Sequence, residues 1–516
     1  MIEKRPLCEE DMDNINWKNS IPIPVCEDYP QFDILYQKSW ELAYEHIKEI
    51  EGMPQTPYMD EAFCDTQIWI WDTCFMSMFC KFAGDIFPGI ESLDNFYEVL
   101  YNGKKLPAVI PTENEPEWTH AAPGIPKNIE VHIADNPPFF AWAEYENALF
   151  STDINRIEHL LYKTQVLQKH YEWMENLTEQ QTPENVHCET CLIAEKYGYK
   201  WEGGRSGMDN TPRGRRGNKA ECERPNNPDM LWLDAICQQA LSAKMIAKLF
   251  DIVGDEENRK KWEQRYLEKK DIVNELYWDE KDGFYYDIDS KTHEFYKVVT
   301  PAAFWTLVAE IATKEKAKRL SEKLFDENLL GGKIPAVSLA RNDADFVATG
   351  GYWRGAMWLP TAFVTLKGLC EYDLYDEAHT VGKKILDHML RTYLEYEPHT
   401  IWECYSPTEY KPATTADGKG IVRKDFCGWS ALGPISIYIE NVLGFHTING
   451  FERVVEWAKA DTFEKKVGIK NLRFANIVTD IIAENGICKV ISNAPYTLKI
   501  NDKPYQISAG ENILNI

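Results

Sequence analysis

The sequence predicts a mainly helical toroid of helix hairpins, followed by a small C-terminal β domain. Three observations carry this. Apolar residues recur at helical spacing from about 32 to 460, and the loops between those runs share Trp, Gly, Asp and Arg. Over 465–516 the period changes from helical to strand-like.

The elements follow in order. Residues 1–30 read as an arm, because Ile21-Pro-Ile-Pro-Val cannot be helical: each proline removes a donor and restrains its predecessor. Residues 31–464 read as the helical body. Phe32–Ile50, Leu231–Val253, Asn258–Leu276, Pro301–Ala312, Lys314–Phe325, Leu359–Glu371, Leu374–Tyr393 and Trp429–Leu443 carry the i, i+3, i+4 apolar spacing. Between them lie Trp69–Asp72, Trp201–Gly217, Gly350–Trp358 and Trp402–Pro407, which would gather at one end as a cleft. No sequence repeat of fixed period sets the number of hairpins. In the last segment, 465–516, strand-like runs flank Asn485-Gly486, a strong hairpin signal, and the segment reads as a β-sandwich-like appendage.

Composition narrows the function. The 516 residues are 44% apolar and 27% charged, an ordinary globular balance, and no run is long and apolar enough for a membrane helix. A net charge of −26 argues against nucleic acid and against an anionic membrane surface. Thirteen cysteines and an N-terminus without an apolar signal core fit reduced thiols in a cytoplasm. Cys188-Glu-Thr-Cys191 beside His187 lacks the second pair a zinc site needs, and no metal or organic cofactor is expected. A phosphate-binding loop, a dinucleotide fingerprint and a serine-hydrolase elbow are absent. Aromatic residues make up 13%, including 17 Trp and 26 Tyr, which suits either a ring-rich core or a cleft that stacks sugar rings.

Five segments concentrate the chemistry. Trp201-Glu-Gly-Gly-Arg-Ser-Gly-Met-Asp-Asn-Thr-Pro-Arg213 presents Asp209 from a glycine-rich loop; a helix-capping aspartate is the plainer reading. Ile401-Trp-Glu-Cys-Tyr-Ser-Pro-Thr408 sets Glu403 between aromatic walls, where a glutamate bonded to backbone is the plainer reading. Gly350-Gly-Tyr-Trp-Arg-Gly-Ala-Met-Trp358 places Arg354 between indoles. Ile68-Trp-Ile-Trp-Asp-Thr-Cys74 and Ala134-Asp-Asn-Pro-Pro-Phe-Phe-Ala-Trp142 complete the set.

Taken in order, Trp71-Asp72, Asn136-Pro137-Pro138, Ser206-Gly-Met-Asp-Asn-Thr-Pro-Arg213, Tyr352-Trp-Arg-Gly355, Trp402-Glu-Cys-Tyr405 and Phe426-Cys-Gly-Trp-Ser430 resemble the motifs of a known group. That group is the inverting α-glycosidases of glycoside hydrolase family 63 and the trehalases, with the bacterial mannosylglycerate and glucosylglycerate hydrolases. The resemblance spans about 60–440 and implies an (α/α)6 barrel. It implies Asp209 as general acid and Glu403 as general base, and sugar contacts from Trp71, Asp72, Trp201, Glu202, Arg213, Trp353, Arg354, Trp402 and Trp429. Inversion needs an acid on the leaving oxygen and a base on water at the opposite ring face, about 6.5–9.5 Å apart. The implied substrate is a short α-glucoside, α-mannoside or glyceryl glycoside; the oligomeric state stays open.

The chain departs from the group's pattern where Gly-Gly-Arg separates Glu202 from Ser206. The basic knot Arg213-Gly-Arg-Arg216 reads either as a contact for a substrate anion or as a set of surface salt bridges. Two rival functions remain: a lyase or epimerase on a similar toroid, which would need a Tyr or His base, and a carbohydrate-binding protein without catalysis. None of the 11 His sits in the Trp/Gly/Arg loops, and both carboxylates are present.

Overall fold

A computed structural model describes residues 17–50, 53–61, 67–98, 109–111, 120–122, 125–126, 139–178 and 192–516. The segment Asn136-Pro137-Pro138 and the cysteines at 188 and 191 lie outside these residues. The described chain is mainly helical, with a β-rich C-terminal region.

Besides three short helices at Asp94–Glu98, Ile154–Glu158 and Gly203–Ser206, the helices are α1 (Phe32–Glu45), α2 (Ile70–Cys80), α3 (Phe140–Ser151), α4 (Val166–Glu175), α5 (Leu233–Ile252), α6 (Glu256–Leu276), α7 (Trp305–Val308, after a 3-10 turn), α8 (Lys314–Ser321), α9 (Leu359–Cys370) and α10 (Tyr375–Glu395). A π-helical segment, Gly433–Val442, follows. Caps fix several starts. Asp255 accepts from the Asn258 N–H at 3.1 Å to open α6, and Thr313 accepts from Lys316 N–H at 3.2 Å to open α8.

α2 touches α3, α3 touches α5, α5 touches α7, α7 touches α9, α9 touches the π segment, and the π segment returns to α2. α2 and α3 are buried nearly all round, so they carry no amphipathic stripe. That is why α2 and α3 escape a periodicity reading: every residue of α2 but Trp71 is buried. α4 does carry the stripe, with Val166, Leu167, His170, Tyr171, Trp173 and Met174 buried, yet it lies outside the predicted series. The predicted helix Trp429–Leu443 resolves into a 3-10 turn and the π segment, a form that concentrates near functional sites.

Toward the C-terminal ends of these helices four charges close on one another away from water. Lys81 bridges Glu146 and Glu440, both at 2.9 Å, and Lys367 bridges the same two at 3.2 and 3.1 Å. Each charge there is paired twice, which is the condition for burying it at all.

The β-rich region begins at Thr447 rather than at 465. One sheet runs Thr447–Asn449, Val454–Trp457, Tyr496–Ile500 and Lys503–Ile507, with a parallel pair in its middle. The other sheet contains Val467–Phe474, Ile477–Glu484, Ile487–Ser492 and Gly510–Asn515, and its outer strand is Ile23–Cys26 from the arm. Ile23 pairs with Lys470 and Cys26 with Val467. The proline-bearing segment is thus a strand rather than a helix, and it pairs with the C-terminal sheet. Asn485 and Gly486 both have positive φ, 51° and 76°, as the tight hairpin between them requires.

Candidate active site

The four Trp-, Gly- and Arg-bearing loops all precede ring helices. Asp72 lies in the first turn of α2; the Asp209 loop leads toward α5; Tyr352–Trp358 leads into α9; Glu403–Trp429 leads into the π segment. The Glu403 and Asp209 charges raise the proton affinity of Asp72, and the Glu403 charge raises that of Asp209.

The Asp209 loop is held on three sides. Glu202 caps the short helix Gly203–Ser206, its carboxylate accepting from Gly204 N–H at 3.0 Å and Arg205 N–H at 2.9 Å. Gly207, at φ 81°, lies against the Trp71 indole, where an added Cβ would stand 2.6 Å from the ring. Asn210 donates to the Gly351 carbonyl at 3.0 Å and accepts from Trp353 N–H at 2.8 Å, tying this loop to the next. Burial pushes the Asp209 carboxyl up to about 7, and the Glu202 and Glu403 carboxylates add to the rise. Arg224 and Arg423 oppose it. Asp209 is therefore a carboxyl that keeps much of its proton up to near neutral pH.

Glu403 is 1% exposed. Its Oε1 accepts from the Tyr352 hydroxyl at 2.8 Å and from Arg423 Nη1 at 3.0 Å; its Oε2 accepts from the Arg423 backbone N–H at 3.2 Å. Trp429 donates its indole N–H to the Glu403 carbonyl at 3.1 Å. Its ring meets Trp71 at 5.8 Å and Trp358 at 5.7 Å, forming an aromatic wall beside the carboxylates. Asp72, 6% exposed, is driven well above the usual carboxylate range by burial and by the Glu403 and Asp209 charges, against the pull of Arg423.

The other residues named from sequence have these partners in the structure. Arg213 is 1% exposed; its guanidinium bonds Asp234 and Asp287 at 2.6–2.9 Å and lies 4.5 Å over the Trp232 ring. Arg354 donates to the carbonyls of Asn210, Cys222 and Glu223, clamping the loop that carries Arg224. Trp353 stacks on Trp358 at 4.1 Å and is buried. Trp201 packs edge-on against Trp232 at 6.1 Å, and Trp402 against Tyr396 at 5.6 Å. In the basic knot Arg215 pairs with Asp343 and Asp345 at 2.5 and 2.7 Å, so two of its three arginines are internally neutralised. Sequence reasoning missed Arg224 and Arg423. Arg423 reaches Glu403 through an antiparallel bridge of Trp402 with Lys424, which no local pattern announces. Tyr352 lay inside a quoted motif, but its hydroxyl's target was not legible. Among the described residues no cluster of His, Cys, Asp and Glu suits a metal ion, and no helix is long and apolar enough to cross a membrane.

A protonated carboxyl facing a second one gripped by donors, beside stacked indoles, suits cleavage of a glycosidic bond by water. The family to which the chain belongs defines it as an inverting α-glycosidase. The model of the mannosylglycerate hydrolase MGH1-like glycoside hydrolase domain matches residues 66–419, and the chain belongs to that family. An uncharacterised protein of Borreliella burgdorferi is 26% identical over 80% of this chain and 79% of its own length. The mannosyl-oligosaccharide glucosidase of Saccharomyces cerevisiae is 29% identical over 48% of this chain, which spans only 30% of that larger protein. The family 63 mannosylglycerate hydrolase of Thermus thermophilus, solved with glucose, superposes with a TM-score of 0.57 at 16% identity, covering 78% of this chain and 99% of that one.

Proposed function

We propose that the protein hydrolyses a short α-glucoside or α-mannoside, a glyceryl glycoside among them, with Asp209 as general acid and Glu403 as general base. The closed succession of α2, α3, α5, α7, α9 and the π segment is read as the inner ring of an (α/α)6 toroid within residues 31–464. The observation that carries the roles is the contrast between the two carboxyls. Asp209 is held protonated to about 7 by burial, while Glu403 accepts three donors, two of them from the cation Arg423. Asp209 gives its proton to the leaving oxygen. Glu403 takes a proton from the water that attacks the anomeric carbon. Trp71, Asp72, Trp402 and Trp429 face the sugar; Glu202, Arg213, Trp353 and Arg354 hold the loops that present them, and Trp201 packs behind. The named mannosylglycerate hydrolase suggests an anionic aglycone, and the exposed Arg224 beside Asp209 is the cation placed to meet one. A cytoplasmic location is part of the same reading.

Proton NMR of a panel of α-glucosides, α-mannosides and glyceryl glycosides tests this. The β-anomer should appear first, and Asp209→Asn and Glu403→Gln should both lose turnover. First release of the α-anomer, or wild-type rates in both variants, would overturn it.

A further inference from the structure

The donors around Glu403 are divided unequally between its two oxygens. Oε1 takes both side-chain donors, the Tyr352 hydroxyl at 2.8 Å and Arg423 Nη1 at 3.0 Å. Oε2 takes only the Arg423 backbone N–H, at 3.2 Å, near the long end of the range. An oxygen with two strong donors has little lone-pair capacity left for a water proton. The backbone around Tyr352 is arranged to deliver its hydroxyl. The residue has φ 64°, a left-handed conformation that bulky side chains rarely adopt, directly after Gly350 and Gly351, which are also left-handed. It is pinned there by its own N–H to the Thr414 carbonyl at 3.0 Å, by its carbonyl accepting from the Trp358 indole at 3.2 Å, and by edge contact of its ring with Trp358 at 4.7 Å. A glycine or asparagine would fill this position without strain, but neither carries a hydroxyl far enough to reach Glu403. Strain kept at one residue whose side-chain oxygen ends on a carboxylate marks a functional constraint.

We infer that Tyr352 is the positioning residue of the general base: with Arg423 it saturates Oε1 and leaves Oε2 as the atom that takes the proton from water. This rests on Glu403 being the base. In the step it supports, a water O–H proton moves to Oε2 as the water oxygen bonds the anomeric carbon. The glycosidic C–O bond breaks, and its oxygen leaves with the Asp209 proton. Tyr352 exchanges no proton with substrate.

Tyr352→Phe keeps the ring, and with it the contact to Trp358, and removes only the hydroxyl. A hydrogen bond to the ionised form favours it, so losing the donor makes the carboxylate hold its proton to higher pH. The expected result is a kcat lowered by roughly 10- to 100-fold, part of what general-base catalysis supplies, with KM little changed. The acidic limb of kcat/KM should move to higher pH while the alkaline limb stays. Arg423→Gln, which spares the backbone donor to Oε2, should move the same limb in the same direction. A purely structural role would lower kcat or the thermal midpoint without moving that limb. A Tyr352→Phe profile that superposes on wild type, with Glu403→Gln inactive, overturns the inference alone. Retained activity in Glu403→Gln overturns the assignment of the base itself.

Discussion

Replacing Asp209 with asparagine should abolish turnover and stabilise the fold, and the second effect has a sign and a pH window. Burial raises the Asp209 carboxyl from an ordinary 3.8 to about 7 in the folded protein. Below pH 3.8 the group is protonated folded or unfolded and costs nothing. Above 7 it is ionised in both states, and the folded protein bears the full penalty. Between these limits its contribution to stability falls as pH rises, because the unfolded chain releases the proton first. At 1.36 kcal/mol per pH unit the rise is worth about 4 kcal/mol. The amide that replaces the carboxyl must itself be desolvated, which leaves about 2–4 kcal/mol. With an unfolding entropy near 2.1 cal/mol/K per residue, this raises the midpoint of the chain by roughly 2–4 °C at pH 8. Scanning calorimetry of wild type and Asp209→Asn at pH 4 and pH 8 measures it. The two should converge at pH 4 and separate at pH 8 with the variant higher. An equal separation at both pH values, or a variant less stable at pH 8, would show that Asp209 carries no burial penalty and refute its standing as the protonated acid.

Other consequences are simpler to state. Arg224→Ala removes a cation that opposes the Asp209 rise, so the alkaline limb of kcat should move to higher pH; Glu202→Gln, which removes a carboxylate that adds to it, should move the limb lower, and both are read from pH–rate profiles. Arg213→Met leaves Asp234 and Asp287 buried against no cation and should cost about 3–5 kcal/mol by denaturant unfolding. Gly207→Ala puts a methyl 2.6 Å from the Trp71 ring at a φ of 81°, so it should displace the Asp209 loop and lower kcat by at least about tenfold, while the far-UV spectrum is kept.

The outer helices were legible because one face of each meets water. α6 and α10 fall within a few residues of their predicted ends for that reason, α6 with a capping aspartate at its start. α2 and α3 pack on nearly all sides and lose the period that would reveal them. The C-terminal strands were legible from alternation and from Asn485-Gly486. The membership of Ile23–Cys26 in their sheet was not, since that pairing joins residues more than 400 positions apart.

The site divides along the same line. Motifs singled out Asp209 and Glu403, whose charges act on one another's surroundings, because an Asp in a glycine-rich turn and a Glu between aromatic residues are local facts. They did not tell which cations serve the substrate and which serve the scaffold. Arg213 sits four positions from Asp209, yet its charge is taken by Asp234 and Asp287, which arrive from the start of α5 and from a strand beyond α6. Arg423 belongs to no recognised motif, yet it contributes two of the three donors on Glu403 because a two-residue bridge folds its strand back over Trp402. A guanidinium's role is set by the nearest unpaired carboxylate in space. In a chain with 82 acidic residues the sequence neighbour is a poor guide to which carboxylate that is. The assignment of Arg224 to the substrate therefore rests on its place beside Asp209 and on its exposure, neither of which a motif could supply.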